Sequence, residues 1–451
     1  MDVRDLVDDR PDDGVFRVSP AIFTAPEVFD LEQRLIFERT WIFLGLASQL
    51  PKPHDYIVSY IGRVPVLVMR SASGQLGAYL NVCRHKGALL CRTESGNRKY
   101  HVCPYHGWGY DSAGRNIDVK DHAVGGYAPA FSREDHNLVP LSAFDSYKGL
   151  LFGSLSPEVP RLVDFLGELR FFLDCALEQG PEGMEFVPGR IAFTYQGNWK
   201  AQLDNSSDAY HLTSTHAGFM DVQRRRADAT SGNQAARQFD WQKRFSQQGG
   251  AFSFAHGHNV IWLNQAEVQK RPVFARIDEV KARVGEALAD WMLKLRNLTV
   301  FPSVQIADST SLNVRTFRPL AVDRTEVRYY CLAPIGEAPE VRAWRLRQFE
   351  DFFNVSGLAT PDDAVMYEDM QVGLDVRQIG WMQGYARGLG VLEQGPSERA
   401  RQIGVNPLSH VEGSFDLQAE TWAPAMYREW ARLLEAGLSG RGAYPRMSAA
   451  A

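Results

Sequence analysis

The chain has 451 residues, of which 45% are hydrophobic and 23% charged, and its formal net charge is −5. This length allows two or three domains with a large core, and the composition excludes an intrinsically disordered chain. The negative charge argues against a general affinity for nucleic acid, because binding to phosphates requires a basic surface. The compact basic run Arg224–Arg226 is expected to be a solvated face or an inter-subunit salt-bridge patch.

The cysteine and hydropathy patterns predict a soluble, cytoplasmic protein. The five cysteines suggest no disulfide framework, which fits a reducing compartment. The N-terminus is acidic and lacks the apolar segment of a signal peptide. No stretch of sequence approaches the roughly eighteen consecutive apolar residues of a membrane span, so we expect no membrane association.

The first third of the chain predicts an arm, a helix and a small β domain. Residues 1–40 form the arm and the helix, with apolar residues at helical spacing over Pro26–Ile42. From about Asp55 the pattern changes to short β-type runs separated by turn signals. These runs cover residues 56–58, 64–69 and 77–82. They predict an antiparallel domain over residues 41–156, with a boundary at Pro157–Pro160.

Two short loops in this domain each pair one cysteine with one histidine. The first loop contains Cys83 and His85, and the second contains Cys103 and His106. A Rieske [2Fe–2S] cluster needs this set, because two thiolates hold one iron and two imidazoles hold the other. Neighbouring glycines and Trp108 are expected to allow tight turns and to limit solvent around the cluster.

A structural zinc site is the alternative for these loops, since zinc also takes cysteine and histidine ligands. Common zinc patterns place like ligands in the same loop, as in C-x-x-C followed by H-x3–5-H. Here each loop carries one ligand of each kind. The spacing therefore favours the iron–sulfur cluster.

Residues 157–451 are predicted to form a larger catalytic domain. Helices are expected at 162–177, from Trp199 onward, at 341–353, at 362–372 and at 420–436, the last ending at Gly437. Strands are expected at 190–195, 260–263, 298–301, 311–315 and 326–330. Strands that precede a long C-terminal helix predict an α+β fold, in which helices cover a curved antiparallel sheet, rather than alternating βαβ units.

A second group of metal-binding side chains follows Trp199. Two imidazoles and one carboxylate form the facial triad of non-haem Fe(II) oxygenases, which leaves positions open for dioxygen and substrate. His211 and His216 are five residues apart, so an ideal helix would point their rings roughly 140° apart. They can converge only if the helix ends, bends or carries a π-bulge between them. Asp208, one turn before His211, is better placed to accept a hydrogen bond from that ring than to bind the metal.

The third ligand of this group is expected from elsewhere in the chain. Asp362 and Asp363 lie at the predicted start of a helix. The alternative role for these acids is N-capping and stabilisation of the helix dipole, worth roughly 0.5–2 kcal/mol. Both roles can coexist, with Asp362 near the cap and Asp363 on the metal. By itself, a polar helix with two histidines is also compatible with a solvated surface.

Together these motifs resemble the large (alpha) subunit of Rieske non-haem iron aromatic-ring-hydroxylating dioxygenases. Within that family the chain is most similar to the benzoate, toluate and anthranilate 1,2-dioxygenase group. The resemblance runs nearly end to end. Besides the two metal motifs it includes residues 6–10, 107–108, 197–200, 208–211, 256–258, 318–320, 323–327 and 359–363.

The resemblance implies a role for each matching position. It implies cluster ligation by Cys83, His85, Cys103 and His106. It implies coordination of a mononuclear iron by His211, His216 and Asp363. Asp208 resembles the aspartate that links the iron ligand of one subunit to the cluster histidine of its neighbour, here His106. That link implies a ring of alpha subunits, commonly an α3β3 hexamer with a small beta subunit.

The resemblance also implies the reaction. The chain would be a terminal oxygenase that uses O2 and electrons from a reductase to cis-dihydroxylate an aromatic carboxylic acid, such as benzoate or an ortho-substituted benzoate. No G-x-G-x-x-G motif follows a predicted strand, so NADH is expected to bind a separate reductase, with or without a ferredoxin.

A buried substrate carboxylate needs a cation or several hydrogen-bond donors. Arg315 and Arg318 lie on or beside a predicted strand and are candidates, because arginine can donate two hydrogen bonds to a carboxylate. His258 is a further candidate, with a structural role as its alternative. Strand arginines also commonly face solvent or a partner subunit.

Three other functions are compatible with parts of this sequence. An enzyme of the same fold would monohydroxylate the aromatic acid, as salicylate-type hydroxylases do. A Rieske electron-transfer protein would need only the cluster, although the long region after the cluster domain argues against it. A zinc-stabilised binding module would have no redox centre.

Overall fold

The computed structural model describes residues 2–229, 247–414 and 417–444. The chain separates into two compact units. The smaller unit comprises Phe37–Leu162, and the larger comprises Met1–Ile36 together with Val163–Ala451. The N-terminal arm and its helix therefore belong to the larger unit.

The elements are numbered in chain order. The strands are β1 (Val7–Arg10), β2 (Val15–Val18), β3 (Ile42–Leu46), β4 (Asp55–Ile61), β5 (Val64–Arg70), β6 (Leu76–Leu80), β7 (Ser95–Asn97), β8 (Tyr100–Val102), β9 (Gly109–Asp111), β10 (Asn116–Asp118), β11 (Ala143–Tyr147), β12 (Leu150–Ser154), β13 (Met184–Phe186), β14 (Ile191–Tyr195), β15 (Gln248–Ser253), β16 (Asn259–Leu263), β17 (Leu295–Val300), β18 (Val304–Asp308), β19 (Leu312–Ala321), β20 (Arg324–Pro334), β21 (Glu393–Gln394) and β22 (Ser409–Ser414). The α-helices are α1 (Ala21–Thr24), α2 (Pro26–Glu32), α3 (Leu162–Leu166), α4 (Arg170–Leu177), α5 (Trp199–Ser206), α6 (Leu212–Thr215), α7 (Ala217–Ala229), α8 (Ile277–Val284), α9 (Glu286–Met292), α10 (Pro339–Phe353), α11 (Thr360–Leu374), α12 (Glu398–Gln402) and α13 (Trp422–Leu438).

The smaller unit is built from antiparallel sheets in the orders β6-β5-β4-β7, β10-β9-β8 and β11-β12-β3. Residues 66–69 of β5 are consecutive apolar side chains, and all of them are buried. Leu67 and Met69 pack with Tyr56, Trp108 and Tyr110 in one core cluster. The first cysteine–histidine loop follows β6 and the second joins β8 to β9. Packed strands therefore fix at least one end of each loop.

The larger unit is organised around one ten-stranded sheet in the order β13-β20-β19-β18-β17-β16-β15-β22-β21, with β14 also paired to β20. Every neighbouring pair in it is antiparallel. Helix α5 packs against β17, β18 and β19, and α13 packs against β15 and β16. An antiparallel sheet covered by helices confirms the predicted α+β class.

Several helices differ from the sequence prediction. The helix predicted over Pro26–Ile42 ends earlier, with a π-helical turn at Gln33–Phe37. The helix predicted at 162–177 is split into α3 and α4 by a 3-10 turn at Gly167, whose φ is +49°.

The prediction that Gly437 ends the last helix is wrong, because α13 continues to Leu438. A Cβ atom at Gly437 would lie 2.5 Å from Leu35 Cδ2. This glycine therefore allows a close approach to the N-terminal helical segment and does not act as a stop signal.

The basic run Arg224–Arg226 lies in α7. Arg224 and Arg225 pair with Asp221 at 2.6 and 2.7 Å, and Arg226 pairs with Asp351 at 3.2 Å. Its positive charge is thus largely compensated by acids of the same chain. Among the described residues, no helix is both long enough and apolar enough to cross a membrane.

Candidate metal centres and substrate cavity

The two cysteine–histidine loops have the same backbone form. Gly87 N donates to Cys83 O and Gly107 N donates to Cys103 O, both at 3.0 Å. Both glycines have a φ of +76°, a conformation that other residues rarely adopt. In each loop the cysteine N–H also donates, at 2.8 Å, to the carbonyl oxygen five residues later. Paired loops of this kind hold two equivalent sets of ligands.

The four side chains of these loops converge as a cluster requires. Cys83 and Cys103 are each 2% exposed, and burial, with a smaller effect of the neighbouring Cys103 thiol, raises the pKa of Cys83. His85 Nδ1 lies 3.1 Å from His106 Nδ1. Burial and the neighbouring His106 lower the pKa of His85, so the neutral imidazole that binds metal is favoured. This donor set fits a Rieske cluster.

Two aromatic side chains contact ligand residues of this site, one on a histidine and one on a cysteine. The indole of Trp108 stacks on His85, with the ring centres 5.0 Å apart and the planes 8° from parallel. Tyr110 Oη lies 3.4 Å from Cys83 Sγ and accepts a hydrogen bond from Arg84 N at 3.1 Å. These contacts limit solvent and place a polar hydrogen near a ligand sulfur, both of which tune a cluster potential.

In the larger unit, a row of polar side chains crosses the sheet beneath α5. Strand register aligns Asn259, Thr299, Gln305, Arg315 and Tyr329, so these residues share one face. The helix satisfies most of them. The contacts are Ser207 Oγ to Asn259 Oδ1 (2.7 Å) and Thr299 Oγ1 (3.0 Å), Gln305 Nε2 to Leu203 O (2.9 Å), and Tyr329 Oη to Gln202 Oε1 (3.2 Å). This network fixes α5 and the residues that follow it.

The chain breaks its helix between the two predicted iron-binding histidines. His211 is the N-cap residue of the short helix α6, and His216 has φ −101° and ψ 26° between α6 and α7. The two ring centres therefore lie 5.2 Å apart, whereas an unbroken helix would separate them.

Asp363 reaches the same point from α11. Its Oδ1 lies 3.1 Å from His216 Nε2 and 3.6 Å from His211 Nε2. One donor atom of each of the three residues lies within 4.8 Å of the others, so together they could hold one metal ion. Burial would raise the pKa of Asp363, but its hydrogen bond to His216 and the nearby positive charges leave that pKa lowered. An ionised carboxylate between two imidazoles matches the facial triad of a non-haem iron site.

A carboxylate lies behind each iron-facing histidine. Asp208 Oδ2 accepts from His211 Nδ1 at 2.9 Å, and Asp362 Oδ2 lies 3.4 Å from His216 Nδ1. Burial alone would lower the pKa of His211, but Asp208 and Asp363 outweigh it and leave that pKa raised. Such partners orient a metal-binding imidazole. Ala359 occupies the N-cap position of α11 and makes no side-chain capping hydrogen bond, so neither acid is the N-cap. Asp362 lies near the cap as expected, in the first turn, where a carboxylate stabilises the helix dipole.

Sequence analysis missed Asn205, which lies beside the triad, and assigned no role to Asp204. Asn205 Nδ2 lies 3.2 Å from His211 Nε2 and 3.1 Å from Asp363 Oδ1, and no spacing rule marks it. Asp204 accepts hydrogen bonds from Tyr385 and Tyr427, the latter at 2.9 Å, and burial raises its pKa to about 7. Asp204 therefore braces α5 against two other segments.

A cavity of about 130 Å³ opens onto the triad. Its walls are mainly apolar and include Leu212, Ile261, Leu263, Leu295, Phe352 and Val411. Arg315 also lines it, whereas Arg318 does not. Odd spacing along a strand sends these two side chains to opposite faces.

Of the predicted substrate-binding residues, His258 lies away from this cavity. It is 1% exposed, its Nε2 donates to Phe165 O at 3.0 Å, and its Nδ1 accepts from Phe301 N at 3.1 Å. Both ring nitrogens of His258 are thus hydrogen-bonded to the backbone. This geometry supports the structural alternative for His258 over a contact with substrate.

Comparison with known proteins agrees with these two sites. Residues 184–413 match the family described as ring hydroxylating alpha subunit (catalytic domain), and residues 40–128 match the Rieske [2Fe-2S] domain. The chain is 40% identical to toluate 1,2-dioxygenase subunit alpha of Pseudomonas putida, over 96% of each chain. It is 38% identical to the 2-halobenzoate 1,2-dioxygenase large subunit of Burkholderia cepacia, over 94% of this chain and 92% of that one.

The fold also matches a solved structure, naphthalene 1,2-dioxygenase from Rhodococcus sp. bound to indole. The TM-score is 0.79 at 27% identity, over 93% of this chain and 94% of that chain. These matches favour the oxygenase over the zinc module and the electron carrier, and they support a [2Fe–2S] cluster and a mononuclear iron as cofactors. The chain belongs to the alpha subunits of the Rieske non-haem iron ring-hydroxylating dioxygenases.

Proposed function

We propose that this chain is the terminal oxygenase subunit that cis-dihydroxylates a single-ring aromatic carboxylic acid. The observation that carries the proposal is Arg315 in the cavity beside the triad. Arg315 is 5% exposed, and its side chain donates one hydrogen bond, from Nε to Asn313 Oδ1 at 3.2 Å. It forms no ion pair with any carboxylate in the described part of the chain.

Arg315 lies close enough to Asp363 to lower the pKa of that carboxyl, but the two are not paired directly. Because the proposed iron would share the charge of Asp363, the buried guanidinium favours an anionic ligand. The Arg315 guanidinium lies over the rings of Phe353 and Tyr329, with the ring centres 4.5 and 5.1 Å from its central carbon. Its edge can then donate to a carboxylate. The names of the toluate and 2-halobenzoate enzymes describe substrates of this charge.

The size and lining of the cavity support one aromatic ring. An apolar protein cavity of about 150 Å³ accommodates benzene, and this cavity measures about 130 Å³. Its wall includes Gly249, Ala251 and Gly413, which leave room for a flat ring. His211 and Asp363 line the same cavity as Arg315. A carboxylate on Arg315 would therefore leave the ring near the iron-binding residues.

The residues proposed to hold the cofactors follow from this geometry. Cys83, His85, Cys103 and His106 would hold the cluster, and His211, His216 and Asp363 would hold the mononuclear iron. When bound, the cluster supplies single electrons and the iron supplies dioxygen activation. The protein orients the reacting groups and excludes water. Asp208 fixes the orientation of the His211 ring, Arg315 binds the substrate carboxylate, and the apolar cavity walls keep out water.

We also propose the assembly that the family resemblance implies and the domain boundaries that the sequence pattern predicts. The domains would be residues 1–40, 41–156 and 157–451, in a cytoplasmic α3β3 oxygenase that receives electrons from an NADH-dependent reductase. Asp208 would bridge His211 to His106 of the partner subunit. Exposure supports this bridge: the Asp208 side chain is 18% exposed, and the adjacent Tyr210 is 50% exposed. The mass of the purified complex tests the assembly. Reduction of the cluster by candidate reductases in the presence of NADH tests the electron donor.

The substrate assignment is tested with Arg315→Met and a panel of benzoate, anthranilate, salicylate and halobenzoates, with toluene as the neutral comparison. For the acids we expect kcat/KM to fall by about 10²-fold or more, the cost of removing one member of a buried charge pair. Toluene turnover should change little. Arg318→Met, on the same strand but outside the cavity, is the control. An equal loss of kcat/KM for the acids and for toluene would refute the carboxylate role of Arg315. Separately, the number of labelled oxygen atoms that enter the product from dioxygen would distinguish dihydroxylation from monohydroxylation.

A further inference from the structure

A second, smaller cavity lies in the turn between β18 and β19. It measures about 10 Å³, which is room for one water-sized particle. Side chains around it include Gln179, Arg271, Asp308, Thr310, Ser311 and Arg345. None of these residues lines the cavity beside the triad.

This small cavity has unused hydrogen-bond donors. Arg271, Thr310 and Ser311 are 3%, 6% and 3% exposed. Arg271 Nε, Thr310 Oγ1 and Ser311 Oγ are all buried, and each lacks a hydrogen-bond partner within the described residues. Buried donors of this kind normally bind a protein acceptor, a water or an ion.

The charges around the cavity leave one positive charge in excess. Three buried arginines (Arg271, Arg296 and Arg345) accompany two buried carboxylates (Asp308 and Glu337). Asp308 is fully engaged, because Arg271 binds its Oδ1 at 2.5 Å while Arg296 and Gln179 bind its Oδ2. Glu337 is held by Arg345 at 2.6 Å. Arg342 also approaches Glu337, but it is partly exposed and pairs with Glu185 at 2.8 Å.

We propose that this cavity binds one small monovalent anion, of the size and charge of chloride, held by Arg271, Thr310 and Ser311. An anion satisfies three donors at once and neutralises the buried excess charge, whereas a water satisfies donors without neutralising it. Asp308 also lines the cavity, and its repulsion of an anion is reduced because both of its oxygens are paired with arginines.

The site would stabilise the part of the sheet that forms the catalytic cavity. Ser309 begins the same turn and lines the larger cavity, and β19 carries Arg315 four residues after Ser311. Anion binding would therefore hold the strand from which Arg315 extends. This inference does not depend on the identity of the aromatic substrate.

The test compares thermal unfolding of the complete oxygenase in chloride and in gluconate at equal ionic strength. We expect a saturable rise in Tm with chloride of about 2–4 °C, because a ligand that binds only the folded state stabilises it. The variant Thr310→Val with Ser311→Ala removes two donors without changing charge and should lose the chloride response. Thr316→Val, on β19 but away from the cavity, should keep it.

Crystals of the unaltered protein grown in bromide give an independent measurement. An anomalous peak inside this cavity would support the proposal even if the double variant failed to fold. A water without anomalous signal there, together with equal Tm values in chloride and gluconate, would overturn it.

Discussion

Asp362 and Asp363 are adjacent in sequence, yet they face opposite nitrogens of the same imidazole. Asp363 Oδ1 lies 3.1 Å from His216 Nε2, and Asp362 Oδ2 lies 3.4 Å from His216 Nδ1. The two side chains also differ in exposure, at 9% for Asp363 and 41% for Asp362. This geometry suits Asp363 as a ligand of the proposed iron and Asp362 as a hydrogen-bond partner of the ligand His216.

This difference predicts unequal effects of the same substitution. Asp363→Asn should abolish binding of the mononuclear iron, because it removes the anionic member of the triad. Asp362→Asn should weaken iron affinity by only about 10–100-fold, the range for loss of a residue that orients a ligand. Iron titration followed by metal analysis measures both effects. Equal iron loss in the two variants would contradict the assignment.

Asp208 is predicted to act on electron delivery more than on metal binding. It accepts from His211 Nδ1 at 2.9 Å and also from the backbone N–H of Tyr210 at 2.5 Å. In Asp208→Asn the amide oxygen can accept only one of these hydrogen bonds, because the carboxylate uses Oδ2 for His211 and Oδ1 for Tyr210. We still expect the fold and both metals to be retained, since Asp208 is not placed as a ligand. Loss of the negative charge should slow reoxidation of the cluster by roughly 10–100-fold. Stopped-flow absorbance of the cluster, read beside the iron content, tests this, and loss of the mononuclear iron would make Asp208 a ligand.

The two metal sites should be separable by mutation. His211→Ala should keep the visible spectrum of the cluster, lower the iron content from about three to about two per chain, and abolish turnover. Cys83→Ala should remove the spectrum, because the cluster needs both thiolates. His122→Ala, an exposed histidine of the smaller unit, is the matched control. A variant of His211 that retains full activity would exclude it from the iron site.

The sequence could predict which residues come together at the proposed metal sites, because local spacing constrains their positions. A cysteine and a histidine within one loop already define half of a cluster site, and His211 and His216 could meet only at a helix break. The chain breaks there. Antiparallel strands and the α+β class followed from short β runs and long C-terminal helices in the same way.

Sequence analysis could not place the residues whose roles depend on which neighbouring elements they face in the folded chain. Arg315 and Arg318 must face opposite sides of a strand, but only the register with β18 and β20 shows which side meets α5. Asn205 reaches the triad because a polar row across distant strands fixes its helix. Gly437 was predicted to end the helix because glycine is common at helix ends. Its contact with Leu35 could not be predicted, because the two residues are almost a whole chain apart in sequence.

His258 predicts an effect on acid stability and none on substrate binding. Burial, with a smaller effect of His256, lowers the pKa of His258 to about 3, whereas an exposed histidine titrates near 6.5. Below about pH 6.5, His258 therefore takes up a proton in the unfolded chain but stays neutral in the folded chain. Folding stability should fall as pH drops from about 6.5 toward 3, by at most roughly 1.4 kcal/mol per pH unit from this residue.

His258→Gln keeps a donor and an acceptor at this position but cannot titrate. The variant should be less stable than the original chain at pH 7.5, because its amide fits the hydrogen bonds to Phe165 and Phe301 less well. As pH falls to 5 the difference in unfolding free energy should shrink, because only the original chain bears the cost of a histidine kept neutral. Urea unfolding at both pH values measures this, with His122→Gln as the exposed control. A gap that stays constant with pH would mean that His258 takes up its proton as readily in the folded chain as in the unfolded one. An increased KM for benzoate at unchanged stability would indicate that His258 contacts the substrate.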